Sequence, residues 1–407
     1  MDTSPKRDDR FGLYVHLPWC LAKCPYCDFN SHLLKPGASL DGYVTALEHD
    51  LARTSKTLPS RVLGSVFLGG GTPSVFSPRH IEQILSAVSE RFRVARDAEI
   101  TMEANPGSLG EGGPAEHALA DYRAAGVNRL SLGAQSFSAE SLTRLGRIHG
   151  PHEIHAAYAE ARSAGFDNIN LDIMFGLPGQ SVADAERDVD AAVALEPDHL
   201  SYYELTLEPN TVFHAHPPED LPDDDAMAVI QDAGLSRLSR AGYRRYEVSA
   251  FAKPESECRH NLNYWLFGDY LGVGAGAHGK WRDADGVTWR SRKTAHPHAY
   301  VTAARQSDAV EPGDGVEECW TVDGEDLEFE FALNALRLTA GFTNEQFTTR
   351  TGLPAMRVTQ ILRQAESDGL VVRSTDGGWA ASSLGQRYLN DLQARFLPSP
   401  RRGDRAG

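Results

Sequence analysis

Tyr14-Val15-His16-Leu17-Pro18-Trp19-Cys20-Leu21-Ala22-Lys23-Cys24-Pro25-Tyr26-Cys27-Asp28-Phe29 decides the reading of this chain. It sets three cysteines at C-x3-C-x2-C spacing directly behind an apolar run, 11–17, that reads as a strand. The other two cysteines, Cys258 and Cys319, are far away in sequence. A closed structural zinc site wants four ligands, whereas an iron–sulfur cube takes one thiolate per iron. Three thiolates on one tight loop would hold three irons and leave the fourth open to a substrate or cofactor. Two other readings compete. The cysteines could serve as small buried hydrophobes, against which Lys23 and Pro25 between them argue. Alternatively, a zinc ion could take His16 or His32 as its fourth ligand.

Composition bounds the rest. A chain of 407 residues is long enough for a large core and two domains. Its hydrophobic content of 41% and charged content of 24% are those of a soluble globular protein. No stretch is apolar enough to span a bilayer. Residues 1–10 are charged and lack an apolar signal core, so a cytoplasmic location is expected rather than secretion. Five cysteines, three of them clustered, do not make a disulfide framework and point to a reducing compartment. A formal net charge of −16 weighs against general nucleic-acid binding, which rests on neutralising phosphates.

Outward from the cysteine loop, strand and helix patterns alternate. A helix is predicted over 40–53. A short buried strand, 65–68, runs into Gly69-Gly70-Gly71-Thr72-Pro73-Ser74, where consecutive glycines permit a sharp turn and close approach of a ligand. Helical spacing follows over 78–92, then a strand over 99–106, a helix near 115–125 and a strand over 128–133 running on to Gln135. Helices at 139–145 and 151–164, a strand at 168–175, a helix at 182–195, a strand at 199–205, a helix at 226–241 and a strand at 246–249 complete the series. Alternation at this pitch means parallel βα units. Polar residues recur at the strand ends: the cysteines, Thr72, Glu103, Gln135, Asp172 and Glu204. A (β/α) barrel carries its site on that face. Some six units precede the loss of the pattern near 250, so the expected fold is α/β, a partial (β/α)6 TIM-type barrel; a doubly wound open sheet is the alternative.

Residues 251–324 read as an irregular connecting segment. It contains Cys258-Arg259-His260-Asn261-Leu262-Asn263-Tyr264-Trp265 and a Gly/Ala alternation over 268–279 that suggests close backbone packing or a tight turn over a ligand. From 325 to 396 the character changes to helices at 327–338, 344–349, 354–368 and 384–395, with a short hairpin about Asp376-Gly377-Gly378. This predicts a smaller, mainly helical, winged-helix-like C-terminal domain. The chain's acidity favours packing or docking over DNA binding for it. Tails at 1–10 and 397–407 are expected to be disordered.

The cysteine triplet, the Gly69–Ser74 strand end and the serial strand-end polar residues resemble the radical S-adenosylmethionine (SAM) superfamily. The motifs at 14–20, 69–73, 128–133, 175–179 and 260–265 narrow the resemblance to oxygen-independent coproporphyrinogen III oxidase and its relatives, the HemW family of heme chaperones. It covers about residues 11 to 395. Two departures separate the chain from the oxidases: Phe29 stands where they carry a fourth cysteine, and ten residues precede the first strand where they carry a longer extension. The resemblance therefore implies a heme chaperone that passes heme to heme-requiring proteins such as respiratory enzymes. The alternative is oxidative decarboxylation of coproporphyrinogen III. Peripheral membrane association and a homodimer come within the same expectation. The electron donor, the heme recipient and any cleavage of SAM stay open.

The resemblance also implies residue roles. Cys20, Cys24 and Cys27 match the ligands of a [4Fe–4S] cluster whose open iron chelates the amino and carboxylate groups of SAM. Gly70, Gly71 and Thr72 match the loop that receives the methionine amino end, with Tyr14 nearby. Glu103 and Gln135 match polar SAM contacts. Arg147 matches the partner of the methionine carboxylate, Asp172 the ribose acceptor and Tyr26 the adenine contact. His260, in the HNxxYW motif, is the expected heme ligand, with Tyr264 and Trp265 either stacked on a porphyrin or packed in a core. On their own, the charged residues among these also read as caps, loop carboxylates and surface arginines.

Overall fold

The structure is a computed structural model and describes residues 10–58, 60–109, 117–306, 316–374 and 377–398. The expected tails therefore lie outside the described residues, apart from Arg10, Leu397 and Pro398.

Six strands run parallel and in sequence order: β1 Arg10–Leu17, β2 Val62–Gly70, β3 Arg93–Ala104, β4 Arg129–Gln135, β5 Ile169–Phe175 and β6 His199–Glu204. Helices α1 Leu40–Thr54, α2 Pro78–Arg91, α3 Leu119–Ala124, α4 Ala139–Arg144, α5 Pro151–Ser163 and α6 Val182–Ala194 connect them, and α7 Asp224–Arg240 follows β6. Ser39, Ser77, Ser138, Ser181 and Asp223 each accept a backbone N–H from the first turn of the helix they precede, which sets where α1, α2, α4, α6 and α7 begin.

The period of two decides which way the strands face. Leu13, Val15, Leu17, Val66, Leu68, Met102, Leu130, Leu132, Leu171 and Ile173 lie in one hydrophobic core with the helices. The residues between them are largely polar: Tyr14, His16, Thr101, Glu103, Ser131, Asn170 and Asp172. A parallel sheet buried on both faces would read as continuous apolar runs. Here one face is built for packing and the other for polar contacts.

The sheet extends beyond the six predicted units. At one edge, β7 Arg244–Glu247 and β8 Ala250–Ala252 add antiparallel pairing on β6. At the other, β9 Tyr270–Val273 pairs parallel with β1, and β10 His278–Arg282, β11 Thr288–Lys293 and β12 Glu317–Val322 continue as an antiparallel meander. The order is β12-β11-β10-β9-β1-β2-β3-β4-β5-β6-β8-β7 and the two ends do not pair, so the barrel is partial. The stretch read as a connecting segment thus carries four strands of the sheet. Its glycine alternation serves backbone packing rather than a ligand. Gly274, at φ +98°, sits so close to β1 that a Cβ would fall 2.5 Å from the His16 carbonyl oxygen.

A second hydrophobic core gathers Phe267, Phe331, Phe342, Phe347 and Trp379. It is built from three helices, Gly324–Ala335, Asn344–Thr351 and Met356–Ser367, and the hairpin Val371–Arg373 with Trp379–Ala381. The final helix expected over 384–395 is two, Ser383–Arg387 and Leu389–Ala394, broken at Tyr388 (φ −110°, ψ 44°). Among the described residues, no helix is long and apolar enough to cross a membrane.

Candidate functional site

A cavity of about 620 Å³ opens at the C-terminal ends of the parallel strands. The cysteine loop leaves β1 and returns at once, because Trp19–Cys20 pairs with His32–Leu33. Cys20, Cys24 and Cys27 all line the cavity. Each thiol meets a different polar group. Thr72 Oγ1 donates to Cys20 Sγ at 3.4 Å, Ser31 Oγ lies 3.7 Å from Cys27 Sγ, and Arg147 Nη1 donates to Cys24 Sγ at 3.5 Å. Burial raises the Cys20 and Cys27 thiols above their ordinary value; a bound metal reverses that by its own charge.

Of the two histidines weighed as a fourth zinc ligand, His16 has no free ring nitrogen. His16 is engaged at both ring nitrogens, with Tyr14 OH and the Asn30 carbonyl oxygen at 2.9 Å each, and His32 Nε2 lies 2.9 Å from Asn30 Oδ1. Among the described residues, no three His, Cys, Asp or Glu side chains converge on a point that one metal ion could fill.

Beside the thiols the chain approaches closely. Gly70 takes φ +120°, and a Cβ on Gly71 would lie 2.7 Å from the Pro18 carbonyl carbon and oxygen. The Gly70 N–H donates to Glu103 Oε2 at 3.0 Å. Burial, with the Asp172 charge adding to it, pushes the Glu103 carboxyl up to about 7. Gln135 sits at φ +70°, unusual for a residue with a side chain, at a register shift between β4 and β5; its Oε1 accepts from Tyr203 OH at 2.6 Å. Asp172 accepts from Ser131 Oγ at 3.0 Å and from Asn170 Nδ2 at 2.8 Å. Arg147 also donates from Nη2 to the Gly133 carbonyl at 2.9 Å, while its Nε is buried with no partner. Tyr26 packs against Phe213 at 6.4 Å between ring centroids, and the Phe213 N–H holds the Pro25 carbonyl at 3.0 Å.

The cavity therefore brings together the three cysteines, Tyr26, Gly71, Thr72, Glu103, Gln135, Arg147 and Asp172, with Gly70 directly behind. Besides Gly70, two expected site residues are not part of its lining. Tyr14 is turned to His16 and stacks on Phe67. His260 is 1% exposed, with Nδ1 2.9 Å from Ser65 Oγ, Nε2 2.9 Å from Tyr264 OH, and its ring stacked on Phe67. Both of its ring nitrogens are bonded within the protein. Burial holds its pKa down at about 3. Tyr264 and Trp265 likewise belong to the packing around it.

Sequence reasoning missed several residues that line the cavity: Asn105, Ser131, Tyr203, Glu208 and Arg337. Ser131 and Tyr203 lie on the inward register of β4 and β6, so the period of two could have found them. Arg337 carries no local signal. It arrives from the C-terminal region, held by Glu247 Oε2 at 3.0 Å and stacked 4.3 Å over the Trp265 ring.

The model of the Radical SAM superfamily matches residues 14–192, and that of the HemN C-terminal domain matches residues 322–388. Heme chaperone HemW of Escherichia coli (strain K12) is 44% identical over 386 residues, 95% of this chain and 98% of that protein. The chain belongs to the HemW family of heme chaperones. Heme chaperone HemW of Haemophilus influenzae is 41% identical over 390 residues, 95% of this chain and 97% of that one. Among solved structures, coproporphyrinogen III oxidase (HemN) from Escherichia coli superposes with a TM-score of 0.77, covering 96% of this chain and 90% of its own, at 22% identity. That likeness shows a shared fold. A HemW-family chain with the radical SAM signature implies a [4Fe–4S] cluster and SAM. The donor set fits both: three thiols around one cavity, a buried guanidinium nitrogen without a partner, and a carboxyl beside a glycine turn.

Proposed function

We propose that the protein is a cytoplasmic heme chaperone, which binds heme, holds a [4Fe–4S] cluster with SAM, and passes the heme to heme-requiring proteins such as respiratory enzymes. The observation that carries this reading is the 44% identity to a heme chaperone over 98% of that chaperone's length. Cys20, Cys24 and Cys27 hold the cluster, whose open iron supplies a chelation point for SAM. Arg147 takes the methionine carboxylate, for which a planar guanidinium is suited. Glu103 and the turn at Gly70, Gly71 and Thr72 receive the ammonium. Asp172 accepts from the ribose hydroxyls, Gln135 adds a polar contact, and Tyr26 covers the adenine. In the structure His260 ties the HNxxYW helix to Ser65 and bonds Tyr264 within that helix, and as the candidate heme ligand it would exchange one of these bonds for the iron.

The test is an anaerobic titration of the cluster-reconstituted protein with hemin, followed by mixing with an apo-cytochrome. A Soret band that saturates at fixed stoichiometry and then moves to the acceptor is the expected result. Absence of saturable binding, with protoporphyrinogen IX formed from coproporphyrinogen III, SAM and a reductant, would overturn it. Gel filtration with and without the cluster reads the homodimer, and flotation with lipid vesicles reads peripheral membrane association.

A further inference from the structure

Beneath Asp172 a single hydrogen-bonded chain leads away from the cavity. Asn170 Nδ2 donates to Asp172 Oδ1 at 2.8 Å and to Ser131 Oγ at 2.7 Å, and Ser131 Oγ donates to Asp172 Oδ2 at 3.0 Å, so both carboxylate oxygens are held. Behind them, Asn170 Oδ1 faces His199 Nδ1 at 2.6 Å and accepts from Ser201 Oγ at 3.2 Å. His199 Nε2 lies 2.8 Å from Tyr246 OH, and that hydroxyl accepts from the Cys258 N–H at 3.3 Å.

One placement of hydrogens satisfies the whole chain. A carboxylate only accepts, so Asn170 must turn its amide nitrogen to Asp172 and its oxygen to His199. His199 then carries its proton on Nδ1 and is bare at Nε2, where it accepts the Tyr246 O–H. The imidazole stays neutral because it is 1% exposed and Arg129 is nearby; burial first and that charge second hold its pKa well below the ordinary value. If the other tautomer formed, the Tyr246 hydroxyl could turn and accept, but two acceptors, His199 Nδ1 and Asn170 Oδ1, would face each other at 2.6 Å. The amide would be driven to flip and set its oxygen against the carboxylate.

We propose that His199 is a positioning residue, which through the Asn170 amide fixes the direction in which the Asp172 carboxylate meets the ribose hydroxyls of SAM. This rests on the reading of Asp172 as the ribose acceptor. The carboxylate has its inner lone pairs committed to Ser131 and Asn170, which leaves the cavity-facing pairs for a vicinal diol. Such a contact tolerates little misplacement, and the groups behind it set its direction. The sheet supplies the rigidity: Ser131, Asn170, Asp172, His199 and Ser201 come from three adjacent strands, β4, β5 and β6.

The experiment compares the dissociation constants of S-adenosylhomocysteine and its 2′-deoxy analogue on the anaerobic, cluster-reconstituted protein, with thermal melts to check folding. The wild type is expected to prefer the ribose form. His199→Leu loses about three- to tenfold in affinity for that form, the worth of one misdirected hydrogen bond, and little for the deoxy form. His199→Asn, whose amide N–H can stand where Nδ1–H stood, keeps the preference. Tyr246→Phe releases Nε2 and falls between. A wild type without a preference overturns the ribose contact at Asp172 and the role of His199 with it. A wild-type preference that survives in His199→Leu overturns the role of His199 alone and leaves the SAM reading standing. Should the leucine variant not fold, Tyr246→Phe decides: full retention of the preference overturns the proposal.

Discussion

Glu103 is the residue whose chemistry the fold alters most usefully. It combines a buried carboxyl, pushed up to about 7, with a backbone N–H from the Gly70 turn at 3.0 Å. The ionised form attracts an ammonium and the protonated form does not. Affinity for SAM is therefore expected to be full above pH 7 and to fall as the pH drops through that value, by up to about tenfold per unit. Glu103→Gln should bind more weakly at pH 8 and show a flat profile; isothermal titration at several pH values checks both. His260 makes the contrasting case. Its two ring bonds and its stacking on Phe67 are all internal. His260→Ala should cost about 3 kcal/mol of stability through the cavity and the unpaired Ser65 and Tyr264 hydroxyls, with hemin binding weakened in whatever protein stays folded. Urea denaturation and the Soret titration read the two effects separately. The cysteines were legible from their C-x3-C-x2-C spacing, and Thr72, Glu103 and Asp172 as polar residues near or just beyond the ends of the strands, because both are local signals. The internal contacts of His260 were not, since Ser65 and Phe67 lie nearly two hundred residues away from it along the chain.

At the scale of elements, the helices of the βα units were legible to within a few residues, because apolar spacing and capping residues such as Ser39, Ser77 and Asp223 are local signals, whereas helices Arg259–Trp265 and Pro297–Gln306 in the stretch read as irregular were not. The seventh parallel strand was not. Tyr270-Leu271-Gly272-Val273 is short, glycine-bearing and paired with a strand from the other end of the sequence. What secures that added flank is a buried ion pair. Lys293 on β11 and Asp50 on α1 are both fully buried, with Nζ to Oδ1 at 2.8 Å. Tyr300 OH donates to Asp50 Oδ2 at 2.8 Å, and the Gly274 N–H donates to the same oxygen at 3.1 Å. Such a pair adds little net energy when intact, but removing Lys293 leaves the buried Asp50 with only the longer cation contact, to Arg53 at 3.5 Å, and takes the cation from Glu317, which lies 2.9 Å from Lys293 Nζ. Lys293→Met is expected to lose about 3–5 kcal/mol, and Asp50→Leu combined with Lys293→Met to recover much of it. A urea series on the two single variants and the double variant measures that coupling. Equal losses for the single and double variants would show that the pair is not what ties the meander to α1.

Across the whole molecule, the interior is polar as well as apolar, and its histidines share one electrostatic fate. Burial lowers the pKa of His16, of His149 to about 4, of His199, and of His260 to about 3. In the unfolded chain all four take up protons as the pH falls through about 6.5, while in the folded chain they resist. The sign follows: the stability tied to these residues is fully present above pH 6.5 and is lost as the pH drops below it. Glu103 works in the opposite direction between its ordinary range and about 7, because its folded form holds a proton that the unfolded form releases. Asp188 and Glu204, also raised by burial, act with Glu103, while His32 and His278, also lowered, act with the other four; six imidazoles against three carboxyls leave the balance with acid loss. Each strongly shifted histidine is worth about 1.4 kcal/mol per pH unit. Between pH 7 and pH 5 the sum becomes several kcal/mol, a large share of the roughly 5–15 kcal/mol by which domains are stable. The cluster-free protein, in which iron loss plays no part, should show a markedly lower urea midpoint at pH 5 than at pH 7. His149→Gln and His199→Asn should each shrink that gap, since each removes one proton-binding site from the unfolded chain. Equal midpoints at the two pH values would mean that the interior admits charge more readily than its hydrogen-bonded histidines indicate.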